Sequence, residues 1–309
     1  MQNRSFTYLY IPTGSGFNEV GIILQENKFL RNASSYKWLA HRKHYEKRVI
    51  PGRYRIMDGM SNNELINLLR SGKQDPVKVA FQNIRNTEDL GGKISRQIEA
   101  DSLSLLELLR DPDYLKQFGV DPLNSFILFI PNTYEFYWNT SADQFIRRMS
   151  REKSKFWNDT RMNKCKMAGF SVPQAVILAS IVEKETAKDK EKPIIAGVYI
   201  NRLRRGWPLQ ADPTIIFAWN DYTIKRIQNK HLQINSLYNT YSHKGLPPGP
   251  ICLPSIVSLE AVLNFDNNNF MFFCAKDDLS GYHVFTTNLA AHNRNAKKYQ
   301  AAIKKLNIR

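Results

Sequence analysis

The sequence predicts an α+β fold in which strand-helix repeats over about the first hundred residues lead into a mixed helical and β domain. Three observations carry this expectation. Apolar positions after Ile11 and after Ile56 fall at matching offsets, a leucine-rich stretch ends on Asp121-Pro122, and beyond it helical patterns alternate with short aromatic strands. The boundary is placed near Asp121, giving a repeat module with a helical linker over 1–121 and a second domain over 122–309.

The repeats begin at Ile11, Ile56 and Phe81. Ile11-Pro-Thr-Gly14 leads to Val20, Ile23 and Leu24, and Ile56-Met-Asp-Gly59 leads to Leu65, Leu68 and Leu69. Ser61 with Glu64 is a capping box, and Thr87 precedes a third apolar series at Leu90 and Ile94. Units this small must pack on one another to bury their apolar faces, so they read as a binding or spacer module. Tyr36–Arg53 reads as a solvated basic helix, its His41 and His44 having no carboxylate or cysteine partner at a metal-binding spacing. Asp101 to Phe118 is a helical linker.

In the second domain Phe126 to Ile130 reads as a buried strand followed by an aromatic turn, and Ser141 to about Asn163 as one long amphipathic helix. Ser171 to Thr186 is the stretch around which the domain is organised. Ser171 and Gln174 form a capping box, Pro173 sits harmlessly in the first turn, and an apolar run delivers Glu183 and Glu185. Side chains two apart on a helix point about 200° away from each other, so the two acids cannot readily flank one bond. Glu185 shares its face with Leu178, Ile181 and Val182, neighbours that favour a protonated carboxyl, and it is the candidate general acid. Two solvated charges at a helix end are the alternative.

A further helix over Pro193–Arg205 stops at Gly206, and the loop after it brings Gln210, Asp212 and Thr214 close together, as ligand groups or as turn residues. The three prolines of Gly245-Leu-Pro-Pro-Gly-Pro-Ile251 make a stiff loop. Phe270–Ala275 and Tyr282–Thr286 read as a hairpin whose His283 either faces a cleft or bonds structurally, and a basic helix from about Ala290 closes the chain.

Composition narrows the classes. The chain has 309 residues, 42% hydrophobic and 23% charged, an ordinary globular balance. No apolar run reaches the roughly 18 residues that span a bilayer, and the start Met1-Gln-Asn-Arg lacks a signal-peptide core. Cys165, Cys252 and Cys274 give neither a disulfide framework nor a zinc spacing. The net charge of +16 implies an anionic partner, whether nucleic acid, an anionic membrane surface or an acidic wall polymer. No nucleic-acid-binding motif is legible, which leaves nucleic acid the weakest of the three.

Five motifs in order resemble one family, the YceG-like endolytic murein transglycosylases: Leu178-Ala-Ser-Ile-Val-Glu-Lys-Glu-Thr186, Leu209-Gln-Ala-Asp-Pro-Thr214, Tyr238-Asn-Thr-Tyr241, Gly245-Leu-Pro-Pro-Gly249, and His283-Val-Phe-Thr-Thr-Asn288 with Ala291-His-Asn293. The N-terminal repeats are similar to the LysM-like segment that precedes the family's catalytic domain. The resemblance implies a lytic transglycosylase that cuts peptidoglycan glycan strands between MurNAc and GlcNAc, leaving a 1,6-anhydro end, with no cofactor and no metal. It assigns catalysis to Glu185, the residue already singled out; Glu183 is read as supporting, and Gln210, Asp212, Thr214, Asn239, Tyr241, His283 and Asn288 are the substrate-binding candidates. It also implies cell-wall synthases as partners and an extracytoplasmic enzyme held at the bacterial inner membrane by an N-terminal helix that this sequence does not include. Pro131-Asn-Thr133 stands where the family has Pro-Asp-Thr, and Asn132 is left outside the catalytic set as a tolerated polar swap. The rival class is a non-catalytic peptidoglycan-binding scaffold, which retention of both glutamates and of the stiff loop opposes.

Overall fold

The computed structural model describes residues 5–305; the Met1-Gln-Asn-Arg start lies outside them. The elements run β1 (Phe6–Ile11), α1 (Phe17–Glu26), α2 (Ala33–Arg42), β2 (Gly52–Met57), α3 (Asn62–Ser71), β3 (Val77–Ala80), α4 (Thr87–Ser95), α5 (Ser102–Arg110), α6 (Pro112–Lys116), β4 (Thr133–Phe136), α7 (Ala142–Phe156), α8 (Asp159–Ala168), α9 (Val172–Glu185), α10 (Lys192–Arg204), α11 (Asp212–Trp219), α12 (Ile256–Leu263), β5 (Phe272–Ala275), β6 (His283–Thr286) and α13 (Leu289–Lys305). Helices mixed with small antiparallel sheets make this the expected α+β class. Two compact units are interleaved in sequence, one drawn from residues up to Phe81, Glu88–Leu108 and Asn132–Ile146, the other from Gln82–Thr87, Leu109–Pro131 and everything from Arg147 onward.

In the first unit β1 and β2 pair antiparallel with Leu9 opposite Tyr54. Their alternation sends Leu9, Ile11, Tyr54 and Ile56 into a core completed by Val20 and Leu24 of α1, Tyr36 of α2, and Ile66 and Leu69 of α3. The capping box of α3 forms as expected, Ser61 Oγ accepting from Glu64 N at 3.2 Å and Glu64 Oε2 from Ser61 N at 2.8 Å. Three equivalent repeats do not. Only the first two strands pair with each other; β3 pairs with β4, Val77 opposite Phe136, a partner more than fifty residues downstream that lies outside the repeat pattern. The basic helix is shorter than expected, because His44 takes a left-handed backbone at φ 55° and ends its run. His41 and His44 do have a carboxylate neighbour: their Nδ1 atoms lie 3.7 and 3.9 Å from Glu46 Oε1, an exposed surface arrangement worth little energy.

The second unit departs from expectation twice. Phe126–Ile130 is no strand: Asp121 accepts from Asn124 N at 3.0 Å and Pro122 opens a 3-10 turn over Pro122–Leu128, fully buried over its second half. The expected long helix breaks into α7 and α8, because Asn158 turns extended and its side chain caps the new start through Arg161 N at 3.0 Å. α9, by contrast, starts where its capping box places it, with Ser171 Oγ accepting from Gln174 N and Gln174 Oε1 from Ser171 N at 2.8 Å. Every side chain from Ala175 to Val182 is buried, so α9 is the central helix, packed on α10, α11 and α12.

α10 is held by the chain that leads into β5. Asp266 N donates to Pro193 O at 3.0 Å, and Asn201 Nδ2 donates to the carbonyls of Asn268 and Phe270 at 2.8 and 3.0 Å. That strap crosses α10 at Gly197, where a methyl group would stand 2.3 Å from the Asp266 carbonyl oxygen. Glycine to alanine within a helix ordinarily stabilises by ~1 kcal/mol. Here steric overlap reverses the sign, and Gly197→Ala is expected to destabilise by on the order of 2 kcal/mol, read as a lower denaturation midpoint at unchanged m-value.

Candidate active site

Because α9 is buried all round, the apolarity of one face does not separate its two glutamates; what separates them is the donors each one meets. Glu183 Oε2 accepts from the hydroxyls of Ser255 and Ser258, from Ser255 N at 3.3 Å, and from Lys192 Nζ at 3.3 Å. Burial works to raise its pKa, but those hydrogen bonds and the Lys192 charge outweigh it and hold the carboxyl below its ordinary value. Glu183 is therefore a fixed anion that ties the end of α9 to the starts of α10 and α12.

Two residues on, Glu185 opens into a cleft of about 350 Å³ that it lines with Tyr199, Arg202, Gln210, Asp212 and Tyr241, opposite Phe272, Phe273, Leu289, His292 and Asn293. Tyr199 and Arg202, three apart, share one face of α10. The buried Tyr199 hydroxyl donates to Glu185 Oε1. Burial lifts the Glu185 carboxyl to about 7, with Asp212 adding to the rise and the Tyr199 hydrogen bond and the Arg202 charge restraining it. Arg202 donates from Nε to Met271 O at 2.9 Å and from Nη1 to Leu209 O, so one buried cation joins α10, the entry to β5 and the loop before α11.

That loop is built to present side chains. Gln210 adopts a left-handed backbone at φ 51°, unusual without glycine, and is held there by its N–H donating to Thr240 O at 2.9 Å. Thr240 Oγ1 accepts from Ala211 N at 3.0 Å and stands 2.8 Å from Thr214 Oγ1, which itself donates to Ala211 O at 2.7 Å. The Thr214 proton is thus already used, so Thr240 donates to it. Asp212 opens α11 and accepts from the Tyr241 hydroxyl. The stiff loop matters for the same reason: Gly249 packs so closely that a methyl group would stand 2.6 Å from the Leu123 carbonyl oxygen.

Of the residues expected here, Glu185, Gln210, Asp212 and Tyr241 are brought together in the cleft. Thr214 and Asn239 lie buried behind it, Asn239 Nδ2 donating to Leu232 O and Ile234 O at 2.8 and 3.0 Å and its Oδ1 accepting from Tyr241 N at 3.1 Å. His283 is engaged by Glu191, its N–H donating to Oε1 at 2.7 Å and its Nδ1 lying 2.8 Å from Oε2. Asn288 caps α13 by accepting from Ala291 N at 2.9 Å. These four bond to the framework and none lines the cleft. Asn132 belongs to the first unit, its carbonyl accepting from Phe81 N.

Sequence reasoning missed Tyr199, Arg202 and His292. His292 stacks on Phe272 with ring centroids 5.4 Å apart, and burial followed by the Arg202 charge lowers its pKa. Its buried Nδ1 meets no protein partner, a ring nitrogen that a substrate hydroxyl could satisfy. Its place in Ala291-His-Asn293 was the available signal.

The YceG-like family matches residues 9–298. The chain belongs to that family. A relative named endolytic murein transglycosylase from Bacillus subtilis (strain 168) is 29% identical over 319 residues, 96% of this YceG-like chain and 86% of the relative. One of the same name from Streptococcus pneumoniae serotype 2 is 25% identical over 340 residues, and there the match spans 96% of this chain but only 59% of the relative. The crystal structure of a putative YceG-like protein from Listeria monocytogenes superimposes with a TM-score of 0.61 at 25% identity, covering 94% of this chain and 99% of that one.

A carboxyl that ionises at about 7 in the native state and near 4.5 otherwise keeps its proton through an interval in which the unfolded chain loses it. Stability contributed by this group is therefore full below about pH 4.5 and declines as pH rises to 7. Glu185→Gln keeps an acceptor for Tyr199 and removes the ionisation, so the variant is expected to be more stable than the parent by on the order of 2 kcal/mol at pH 8 and equal to it at pH 4, measured by urea denaturation at both.

Proposed function

We propose that this chain is an endolytic murein transglycosylase, and the observation that carries the reading is the Glu185 carboxyl, poised near neutrality in a polar and aromatic cleft whose other acid, Asp212, is engaged by the Tyr241 hydroxyl. A glycosidase that uses water ordinarily needs two carboxylates, one acid and one base or nucleophile. A transglycosylase that closes the substrate on itself can work with one. Protonated Glu185 gives its proton to the oxygen linking MurNAc C1 to GlcNAc, and the C1–O bond breaks. The resulting carboxylate takes the proton from the C6 hydroxyl of the same MurNAc as that oxygen bonds to C1, forming the 1,6-anhydro ring and restoring the acid. No water is consumed.

The neighbours fit these two stages. Tyr199 occupies Oε1, which leaves Oε2 to carry the acidic proton. Gln210, Asp212 and Tyr241 serve as polar contacts to the sugars and to the positive charge that builds at C1. Thr214, Asn239, His283 and Asn288 act behind them by fixing the loop, the hairpin and α13. The names of the relatives support the same activity.

The finer expectations belong to this proposal. The strand, helix, helix, strand order of β1, α1, α2 and β2 supports a LysM-like reading of the N-terminal segment. An extracytoplasmic location, an anchor in the inner membrane and work alongside cell-wall synthases follow from the family resemblance; among the described residues no single helix is long and apolar enough to cross a membrane. A scaffold without turnover would have no use for a desolvated acid that costs it stability at neutral pH.

Glu185→Gln is expected to abolish release of anhydro-muropeptides from purified sacculi, while Glu183→Gln keeps measurable activity but melts earlier. Mass spectrometry of the digests decides, since anhydro and hydrolysed ends differ by one water; full activity of the Glu185 variant would overturn the assignment. Tyr199→Phe removes a hydrogen bond that holds the Glu185 pKa down, so the acid stays protonated to higher pH and the alkaline limb of kcat/KM should move up by about one pH unit.

A further inference from the structure

α13 carries Arg294, Lys297, Lys298, Lys304 and Lys305 and no acid, and all five are exposed. Among the described residues none of the five meets a carboxylate. The helix dipole accounts for Lys304 and Lys305, which stand in the last turn, where cations are favoured. It does not account for Arg294, Lys297 and Lys298. These stand three and four apart in the body of the helix and repel one another, with no aspartate or glutamate between them to relieve it.

The same helix is a wall of the catalytic cleft, through Leu289, His292 and Asn293 of its first turns. Steps of three and four residues keep to one face of a helix, with neighbours about 5–6 Å apart. From Asn293 such steps reach Lys297, Gln300 and Lys304; from Arg294 beside it they reach Lys298, Ala301 and Lys305. Every residue of both rows is exposed, and the first row starts in the cleft wall and runs on for roughly 16 Å of helix. The opposite face, with His292, Ala296, Tyr299 and Ile303, is half-buried and packs on β5 and β6, where His292 lies on Phe272.

We propose that the outer face of α13 is a cationic rail for the part of the strand that lies outside the cleft, its Arg294, Lys297 and Lys298 pairing with carboxylates of peptide stems on sugars beyond the one being cut. This rests on the transglycosylase reading above. A strand leaving the cleft past Asn293 meets the first row directly, and its stems supply the negative charge that the helix lacks. A lipid surface is the rival anion. Helices that lie on a membrane insert an apolar face, whereas that of α13 is turned onto its own strands.

The test uses two sets of long glycan strands, both with their stem amines acetylated, one keeping the stem carboxylates and the other having them converted to amides. The parent enzyme is expected to cut the carboxylate set with a KM about tenfold lower at similar kcat, and to lose that preference towards about 1 M salt, where charges are screened within about 3 Å. Lys297→Gln combined with Lys298→Gln, which keeps good helix formers in place and is confirmed folded by its thermal midpoint, should bring the preference close to one, and the corresponding pair of arginine substitutions should keep it. A preference that is insensitive to salt or survives the glutamine pair overturns the proposal. So does a glutamine pair that loses binding to phosphatidylglycerol vesicles while its KM on strands is unchanged, because the rows then face lipid. Anhydro ends from both sets at equal KM in the parent remove the rail and leave the transglycosylase reading intact, whereas none from either set removes both.

Discussion

The Glu183 carboxylate is the knot on which the second unit hangs. Its Oε2 gathers Ser255 and Ser258 from the start of α12 and Lys192 from the start of α10, and the lysine is itself 6% exposed. Severing such a pair leaves a buried charge without its partner, a loss of roughly 3–5 kcal/mol. The knot fixes three helices at the level where α9 ends. Two residues later stands Glu185, so the acid inherits a position set by its neighbour. Thr186 and Glu191 extend the same frame, with Glu191 held against His283 of β6. The strands and the cleft wall are referenced to the end of α9.

Two glutamates two residues apart thus acquire opposite properties. The helix points them apart, and the pieces packed on each side decide the rest. Hydroxyls, a backbone N–H and an ammonium meet Glu183 and keep it ionised. A single phenol and a more distant guanidinium meet Glu185, too few to offset its desolvation. Local sequence gives the two acids nearly the same surroundings; the contrast is tertiary.

This marks how far the sequence could be read. The start of α9 was legible because Ser171 and Gln174 bond to each other's backbone within four residues, and the hairpin of β5 and β6 because alternation is local. Phe126–Ile130 misled because a fully buried apolar run looks alike as strand or 3-10 turn, and only the Asp121 cap decides it. The break after Phe156 was written in Asn158-Asp159, but the apolar stripe running through Phe156 masked it. Glu185 could be singled out, although for a face argument that an all-round buried helix makes irrelevant. Tyr199 and Arg202 could not be found, since α10 is apolar on several sides and nothing within it says which residues meet α9. Thr214, Asn239, His283 and Asn288 illustrate the converse, polar residues in recognisable motifs whose bonds turn inward to the framework.

In the proposed mechanism Glu185 is the acid and must also serve as the base, a constraint that enzymes dividing the two roles between carboxylates escape. An environment too apolar would hold Glu185 protonated and make the carboxylate stage inaccessible; one too rich in donors would ionise it before substrate arrived. Desolvation and Asp212 push one way, Tyr199 and Arg202 the other, and the balance falls at about 7, where either form costs little. Arg202 is suited to its share because its Nε and Nη1 are spent on the carbonyls of Met271 and Leu209, so it acts on Glu185 through its charge and is held too firmly to collapse onto the carboxylate. Had it formed a direct ion pair with Glu185, the acid would have been lost. The backbone carbonyls that bind Arg202 are therefore as much a part of the acid's tuning as the tyrosine that touches it.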